Sequence, residues 1–201
     1  MSASHGLERL WSPWRMAYIA KASGQTARTA AKRPAASGST PASKAKERKE
    51  CLFCRVAADS ADREHLVLRR TPHALLMLNR YPYNPAHLMV AVRPHMARFA
   101  ELGPGERADL LELTALAERA LEAEYQPHGI NAGVNLGRVA GAGFPGHLHL
   151  HLVPRWDGDT NFMPVIGRTR VLPESLLQTW TRMRRALAAL EPKPRTAARR
   201  G

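Results

Sequence analysis

The segment His147-Leu-His149-Leu-His151-Leu-Val-Pro154 decides which fold and which chemistry this chain is expected to have. Three histidines alternate with aliphatic residues, and a period of two is the period of a β-strand. The pattern therefore predicts one strand with three imidazoles on one face and an apolar opposite face. Imidazole transfers protons, acts as a nucleophile or ligates metals near neutral pH. The competing interpretation is a solvent-facing strand in which histidine recurs without a role.

Composition is typical of an intracellular globular protein with one domain. The 201 residues are enough for one core and some unstructured length. There is no run of about 18 apolar residues that would predict a transmembrane helix, and residues 1–10 lack the apolar stretch of a secretory signal. The only two cysteines, Cys51 and Cys54, form one Cys-x-x-Cys, whereas a secreted disulfide scaffold would use more. We therefore expect a cytoplasmic protein without membrane contact.

The net charge of +13 suggests a polyanion as partner, but most of it lies outside the predicted domain. Residues 21–49 carry +7, from eight basic residues and one acidic residue, and residues 192–201 carry +4. Segments of this composition bury too little apolar surface to offset the entropy of ordering. We therefore predict a disordered basic linker at 21–50 and a disordered basic tail at 192–201. Such arms hold polyanions loosely and do not make the folded domain a reader of nucleic acid.

Hydrophobic patterning predicts an α+β domain over residues 51–191, preceded by an apolar arm at 1–20. Leucines and alanines at helical spacing predict a helix over 105–125, and a second amphipathic helix over 176–190. The order β-β-β-α-β-β-α indicates an antiparallel sheet of about five strands with helices on one face. The predicted strands share short apolar runs bounded by turn residues and lie at 65–70, 73–78, 87–92, 130–136 and 147–154.

A glycine-rich loop leads directly into the histidines. Residues 135–146 contain four glycines, among them Gly141 and Gly143. Glycine allows backbone N–H groups to approach an anion closely, although such a loop taken alone is often only a turn. Beside a candidate nucleophile it favours phosphoryl or nucleotidyl transfer, in which charge on the phosphorus oxygens must be stabilised.

Together these features resemble the histidine triad (HIT) superfamily, whose motif is His-x-His-x-His with apolar residues between and after. The resemblance covers about 51–190, and the segments 10–16, 78–90 and 154–162 are similar to its bacterial branch related to diadenosine-polyphosphate phosphorylases and hydrolases. It implies a HIT-like sheet with one long central helix, a C-terminal helix and a homodimer. It also implies an enzyme that cleaves dinucleoside polyphosphates, or adenylated or phosphoramidate-like nucleotides, through a covalent nucleotidyl-histidine intermediate.

The resemblance assigns roles to individual residues. His149 would be the nucleophile on the α-phosphate, and His151 would contact the phosphate or the leaving group. A nucleophilic imidazole must be neutral, with its second nitrogen oriented by a hydrogen bond. For Asn79 and Asn135 the alternative interpretation is a turn cap, and for His87 it is a core histidine. The nucleotide- or phosphate-binding candidates are Asn79, His87, Asn135, Gly141, Gly143 and His151.

The Cys-x-x-Cys pair has three interpretations: half of a tetrahedral zinc site, a redox pair, or two small buried residues. A redox pair is disfavoured because no thioredoxin-like βαβ pattern surrounds it. The resemblance supplies two further ligands, and it implies no organic cofactor. The structural zinc site implied in this way consists of Cys51, Cys54, His95 and His147.

One departure from the family leaves the acceptor open. Many HIT hydrolases carry glutamine and serine or threonine just before the triad, and diadenosine phosphorylases of the family often carry a serine nearby. Residues 141–146 contain none of these side chains. Water and phosphate therefore both stay open as acceptors. An alternative of another class is a non-catalytic nucleotide- or polyanion-binding module tethered by its basic arms, and a third is a metal-binding protein in which all histidines ligate. The histidines for which we predict no role are His5, His65, His73 and His128.

Overall fold

The computed structural model describes residues 41–160, 162, 166–167 and 172–190. The predicted arm at 1–20, the first part of the linker at 21–40 and the tail at 192–201 lie outside these residues. The helices are α1 (Pro41–Glu50), α2 (Leu52–Ala58), α3 (Asp62–His65), α4 (Pro104–Tyr125) and α5 (Leu176–Leu190). The strands are β1 (Val67–Arg70), β2 (Ala74–Leu78), β3 (Leu88–Val92), β4 (Gly129–Val134) and β5 (His149–Arg155).

The five strands form one antiparallel sheet in the order β1-β2-β3-β5-β4. The turn between β1 and β2 closes where the Thr71 hydroxyl accepts a hydrogen bond from the Ala74 N–H at 3.0 Å. The histidine strand β5 lies between β3 and β4, so its backbone is paired on both sides. The predicted α+β class with a five-stranded antiparallel sheet is confirmed.

The long helix α4 and the C-terminal helix α5 pack against one face of the sheet. Helix α4 begins with Pro104 at its first position and ends where Gln126 adopts a left-handed conformation, φ 45°. The Trp180 indole of α5 donates a hydrogen bond to the Val67 carbonyl at 2.8 Å, which joins α5 to the edge strand β1. Within the described residues no helix is both long and apolar enough to cross a membrane. The buried stripe of α4 is Leu110, Leu113, Ala117, Ala120 and Leu121.

The opposite face of the sheet is also covered in part, which corrects the expectation of helices on one face only. Helix α2 places Phe53 and Val56, each 1% exposed, against this second face. There they pack with alternate side chains of the first three strands, because successive residues of a strand point to opposite faces. The side chains that meet α2 are Val67, Leu75, Met77, Met89 and Ala91.

The first histidine of the triad lies outside the strand, which corrects the expectation of three imidazoles on one strand. Strand β5 begins at His149, and His147 belongs to the preceding loop. The reason is a change of backbone partner: the Leu148 N–H donates to the carbonyl of Met96 at 2.6 Å rather than to the sheet. All the same, Phe53 of α2 packs against both His147 and His149, with ring centroids 5.0 and 4.7 Å apart.

The last part of the predicted disordered linker forms helix α1, which corrects the boundary at residue 50. The segment starts with proline and continues with alanine, lysine, glutamate and arginine, which have high helix propensity. The side chains of 46–50 are exposed, as the lack of apolar residues predicts. Lys46 and Glu50 approach within 3.9 Å, and the Cys51 N–H donates to the Glu47 carbonyl at 3.0 Å. Local propensity therefore decides the conformation where apolar burial does not.

Candidate active site and metal cluster

A pocket of about 410 Å³ opens on the second face of the sheet, between α2 and the histidine strand. His149 and His151 line one end of the pocket, because residues two positions apart in β5 project from the same face of the strand. Register places His149 opposite Ala91 and His151 opposite Met89 on β3. The apolar wall consists of Leu52, Phe53, Val56, Met77 and Met89.

The ring of His149 is held in one tautomer. Its Nδ1 lies 2.8 Å from the carbonyl oxygen of His147. A carbonyl can only accept, so we assign the ring proton to Nδ1, which leaves a lone pair on Nε2. Burial lowers the pKa of His149 more than this hydrogen bond raises it, so the ring is neutral near pH 7. Neutral, oriented and carrying a free lone pair, His149 meets the requirements of a nucleophile.

The proton of His151 is placed by two further contacts. The backbone N–H of Tyr83 donates to Nδ1 of His87 at 3.2 Å, so the proton of neutral His87 lies on Nε2. That Nε2 is 2.9 Å from Nδ1 of His151 and donates to it. The proton of neutral His151 is therefore on Nε2, as a donor toward the pocket. Burial, and then repulsion from His149, lower the pKa of His151 to about 4.

The loops at the ends of the strands supply the polar wall of the pocket. Asn79 follows β2, and its Oδ1 accepts a hydrogen bond from the Tyr81 N–H at 2.9 Å. Gly141 and Gly143 of the loop before the triad also line the pocket. Gly141 has φ +91°, a left-handed conformation that side chains rarely adopt, so glycine is required at this position. Of the predicted nucleotide-binding residues, these three and His151 lie on the pocket surface.

Two predicted binding residues lie elsewhere. His87 is 1% exposed and lies behind His151, where its Nε2 contacts Nδ1 of that ring and orients it, as a residue that supports the active site would. Asn135 is not among the described residues that line the pocket. Its amide nitrogen is 3.9 Å from the position that a Cβ would take at Gly141, so it neighbours the glycine loop from outside the pocket.

The four predicted metal ligands converge on one point, although they come from distant parts of the chain. Their donor atoms all lie within 4.8 Å of one another. Nδ1 of His147 is 3.3 Å from Sγ of Cys51 and 3.7 Å from Sγ of Cys54, and Nδ1 of His95 is 3.2 Å from Sγ of Cys54. Bond lengths of tetrahedral zinc give donor separations of roughly 3.3–3.8 Å. Two thiols and two imidazoles at these distances fit a tetrahedral metal ion.

The surroundings of the cluster prepare His147 to be a ligand. Its Nε2 donates to the Val92 carbonyl at 2.6 Å, which leaves the lone pair on Nδ1 beside the cysteines. Burial, followed by the neighbouring Cys51, raises the pKa of the Cys54 thiol to about 11. A divalent cation reverses this preference, because coordination deprotonates a thiol. Both cysteines are free thiols.

Sequence reasoning missed several residues of the pocket. His65, Arg80 and Tyr81 line it, and His65 had been predicted to have no role. Phe53 had no predicted role either, yet its ring packs against both His147 of the metal cluster and His149. The signal for Phe53 was its place between the two cysteines. For His65 no local pattern existed, because its position depends on how the sheet places β1 relative to β5.

The chain is similar in sequence to proteins that carry the same histidine motif. The family model described as "HIT domain" matches residues 61–158. A protein of Mycobacterium tuberculosis named AP-4-A phosphorylase is 39% identical over 173 residues, which are 86% of this chain and 80% of that protein. This chain belongs to the HIT family. The resemblance that the triad and its flanking segments predicted is confirmed.

Solved HIT structures share the fold. A zinc-bound histidine triad family protein from Mycobacterium smegmatis superposes with a TM-score of 0.58 at 25% identity, over 71% of this chain and 96% of that one. A histidine triad nucleotide-binding protein from Sulfolobus tokodaii gives a TM-score of 0.57 at 24% identity, over 70% and 93% of the two chains. At that identity the second likeness concerns the fold alone.

Proposed function

We propose that this chain is a nucleotide-cleaving enzyme that attacks the α-phosphate of a dinucleoside polyphosphate with Nε2 of His149. The observation that carries the proposal is the hydrogen bond from Nδ1 of His149 to the His147 carbonyl, 2.8 Å long, which leaves Nε2 with a lone pair in a pocket. The named relative, an AP-4-A phosphorylase, supports diadenosine tetraphosphate as the substrate.

The reaction has two steps. In the first, Nε2 of His149 forms a bond to the α-phosphorus while the bond from that phosphorus to the bridging oxygen breaks, and ATP leaves. The Nε2–H of His151, oriented by His87, donates a hydrogen bond to the departing oxygen. Backbone N–H groups of the glycine loop at 141–143 stabilise the charge on the phosphoryl oxygens. In the second step an acceptor displaces His149 from phosphorus.

We propose inorganic phosphate as that acceptor. The support is the relative named AP-4-A phosphorylase, which is 39% identical over 173 residues. Phosphate would convert the adenylyl-histidine into ADP, so the overall products would be ADP and ATP.

The test is a product assay with the purified full-length chain on diadenosine tetraphosphate. ADP and ATP that appear only when phosphate is added support phosphorolysis. AMP and ATP formed without phosphate would identify a hydrolase and overturn the choice of acceptor. No turnover by a protein that still binds AMP would favour the alternative of a non-catalytic module. Deletion of residues 21–40 should leave turnover unchanged in the enzyme and abolish partner binding in that alternative.

We propose zinc as the metal, in a structural role. The ligand set of two cysteines and two histidines suits zinc, and the neighbour from M. smegmatis is zinc-bound. When bound, the ion would supply a covalent link between the start of α2 and the loop that leads into β5. Cys51 and Cys54 flank Leu52 and Phe53, so this link would fix the apolar wall of the pocket over the triad.

We further propose a cytoplasmic homodimer. Strand β4 is the last strand of the sheet, and its residues 131–133 are exposed, so the β4 of a second copy could extend the sheet there. Helix α1 exposes Lys46, Arg48 and Lys49 and offers a loose contact to polyanions. Light scattering that gives the mass of one chain would overturn the dimer.

A further inference from the structure

One titratable group in the pocket has no part in the proposed chemistry. His65, at the end of α3, lines the same pocket as His149, and its side chain is 26% exposed. Its Nε2 lies 2.7 Å from Oδ2 of Asp59. The carboxylate of Asp59 is itself fixed, because its Oδ1 accepts the N–H of Ala61 at 3.1 Å. His65 is thus held in place on the pocket wall by a residue from the end of α2.

The sheet places His65 at the far end of the pocket from the triad. Across neighbouring strands, His151 is paired with Met89, Met89 with Met77, and Met77 with Val67. Three strand spacings separate His151 from Val67, roughly 14 Å. His65 ends α3, two residues before Val67, and lines the same pocket as Met77 and Met89. This span is comparable to the length of an extended nucleoside monophosphate.

The pocket lining gives a direction for a nucleotide whose α-phosphorus lies at His149. The sugar would then lie near Asn79, and the base would lie over Met89 and Met77, beside Phe53. The edge of the base then points toward His65. We propose, on the basis of the proposed function, that His65 is the residue that reads the base and selects an exocyclic amino group over a carbonyl.

The chemistry of the ring determines what His65 selects. Nε2 donates its proton to Asp59, so Nδ1 of the neutral ring carries a lone pair. Within the part of the chain that the structure describes, Nδ1 has no hydrogen-bond partner. It can accept from the amino group of adenine, whereas the O6 carbonyl of guanine would present a second acceptor to it. A site that forms a hydrogen bond to a polar group of one ligand rejects an analogue that would leave the polar group of the site without a partner.

A second contact fixes the distance between the sugar and base positions. The Arg80 guanidinium donates to the carbonyl of Glu64 at 2.8 Å. Arg80 follows Asn79, and Glu64 precedes His65. The segment after β2 and the segment before β1 are therefore tied together at the pocket edge. Selection by His65 thus acts on the same bound nucleotide that Asn79 positions.

The test compares His65→Ala and His65→Gln with the wild type. Turnover of diadenosine and diguanosine tetraphosphate is measured for all three proteins at one pH. AMP and GMP affinities are measured by calorimetry on the same proteins. His65→Ala should reduce the adenine-to-guanine ratio of kcat/KM about tenfold, through KM rather than kcat. His65→Gln, whose amide oxygen can accept, should restore part of the preference. The matched control is His128→Ala, which removes an exposed histidine paired with Asp157 outside the pocket.

The outcomes separate this inference from the proposed function. One outcome is that the wild type cleaves neither dinucleotide, while His65→Ala still loses the preference for AMP over GMP that the wild type shows. In that case base reading stands and the enzyme proposal fails. If diadenosine tetraphosphate is cleaved and His65→Ala keeps the wild-type ratio within about twofold, base reading is overturned and the enzyme proposal stands. A wild type without preference between AMP and GMP overturns the inference as well.

Discussion

The backbone carbonyl of His147 accepts the Nδ1 proton of His149 at 2.8 Å, so a single residue joins the metal cluster to the nucleophile. The side chain of His147 faces Cys51 at 3.3 Å, while its carbonyl fixes the tautomer of His149. A change that displaces the backbone at His147 would disturb both contacts. We therefore expect that loss of the metal from the cluster also disturbs the orientation of the His149 ring.

Loss of the metal should lower both stability and turnover. In His95→Ala we expect the metal content to fall below one equivalent per chain. An ion present at a thousandfold its dissociation constant contributes about 4 kcal/mol to the free energy of unfolding, and this contribution would be lost. Turnover should fall as well, because His149 loses its fixed carbonyl partner. Metal analysis, thermal unfolding and kinetics check the three parts.

The control for this prediction is His73→Ala, which removes a half-exposed histidine from the turn between β1 and β2. It should keep its metal, its stability and its turnover. A His95→Ala protein that retains one metal ion per chain and full turnover would remove the cluster from the account.

Phe53 should couple pocket and cluster through packing. It is 1% exposed and contacts the rings of both His147 and His149. Phe53→Ala should lower the free energy of unfolding by about 3–5 kcal/mol, as for other buried aromatic residues, and Phe53→Leu by less, while raising the KM for the nucleotide. Urea unfolding and steady-state kinetics measure the two effects. The exposed control Leu111→Ala should change stability by less than about 0.5 kcal/mol, and equal losses in both alanine variants would refute the role.

Protonation of His151 should weaken the fold in acid. Its pKa of about 4 in the folded protein lies below the 6.5 of a free histidine, so the unfolded chain binds more protons between these values. Stability is therefore complete above about pH 6.5 and is lost as the pH falls toward 4, by at most about 3 kcal/mol. The groups that face this ring are His87, His149 and Tyr83, and a proton on Nδ1 would oppose the donor Nε2 of His87.

Urea unfolding of the wild type and of His151→Asn, between about pH 8 and pH 4.5, tests this assignment. Comparison with the variant separates His151 from every other group that titrates in this range. The variant should show the smaller loss of stability in acid. Parallel curves for the two proteins would show that His151 does not titrate as described.

Much of the fold could be predicted because its signals are local. Strand β2 and helix α4 follow from apolar runs and from leucine spacing such as that of Leu110 and Leu113. The convergence of Cys51 and Cys54 with His95 was implied by resemblance and agrees with the cluster in the structure. Period and motif are properties of short segments, which the sequence displays directly.

Other features depend on contacts between distant residues and were missed for that reason. His147 leaves the strand because the neighbouring Leu148 N–H pairs with Met96, 52 positions earlier in the chain. The position of His65 relative to the triad depends on the three pairings that join β1, β2, β3 and β5. The helix at 41–50 has no apolar face, so hydrophobic patterning could not reveal it. In each case the decisive partner is absent from the local sequence.

The central claim is that Nε2 of His149 forms a bond to phosphorus. Rapid quenching of the full-length enzyme with diadenosine tetraphosphate in the absence of phosphate, followed by intact-mass analysis, tests it most directly. We predict an adenylyl adduct on the wild type that disappears when phosphate is added and that peptide mapping locates at His149. His149→Ala should fold, bind AMP and form no adduct. An adduct of equal yield on His149→Ala, or turnover of that variant at the wild-type rate, would contradict the account.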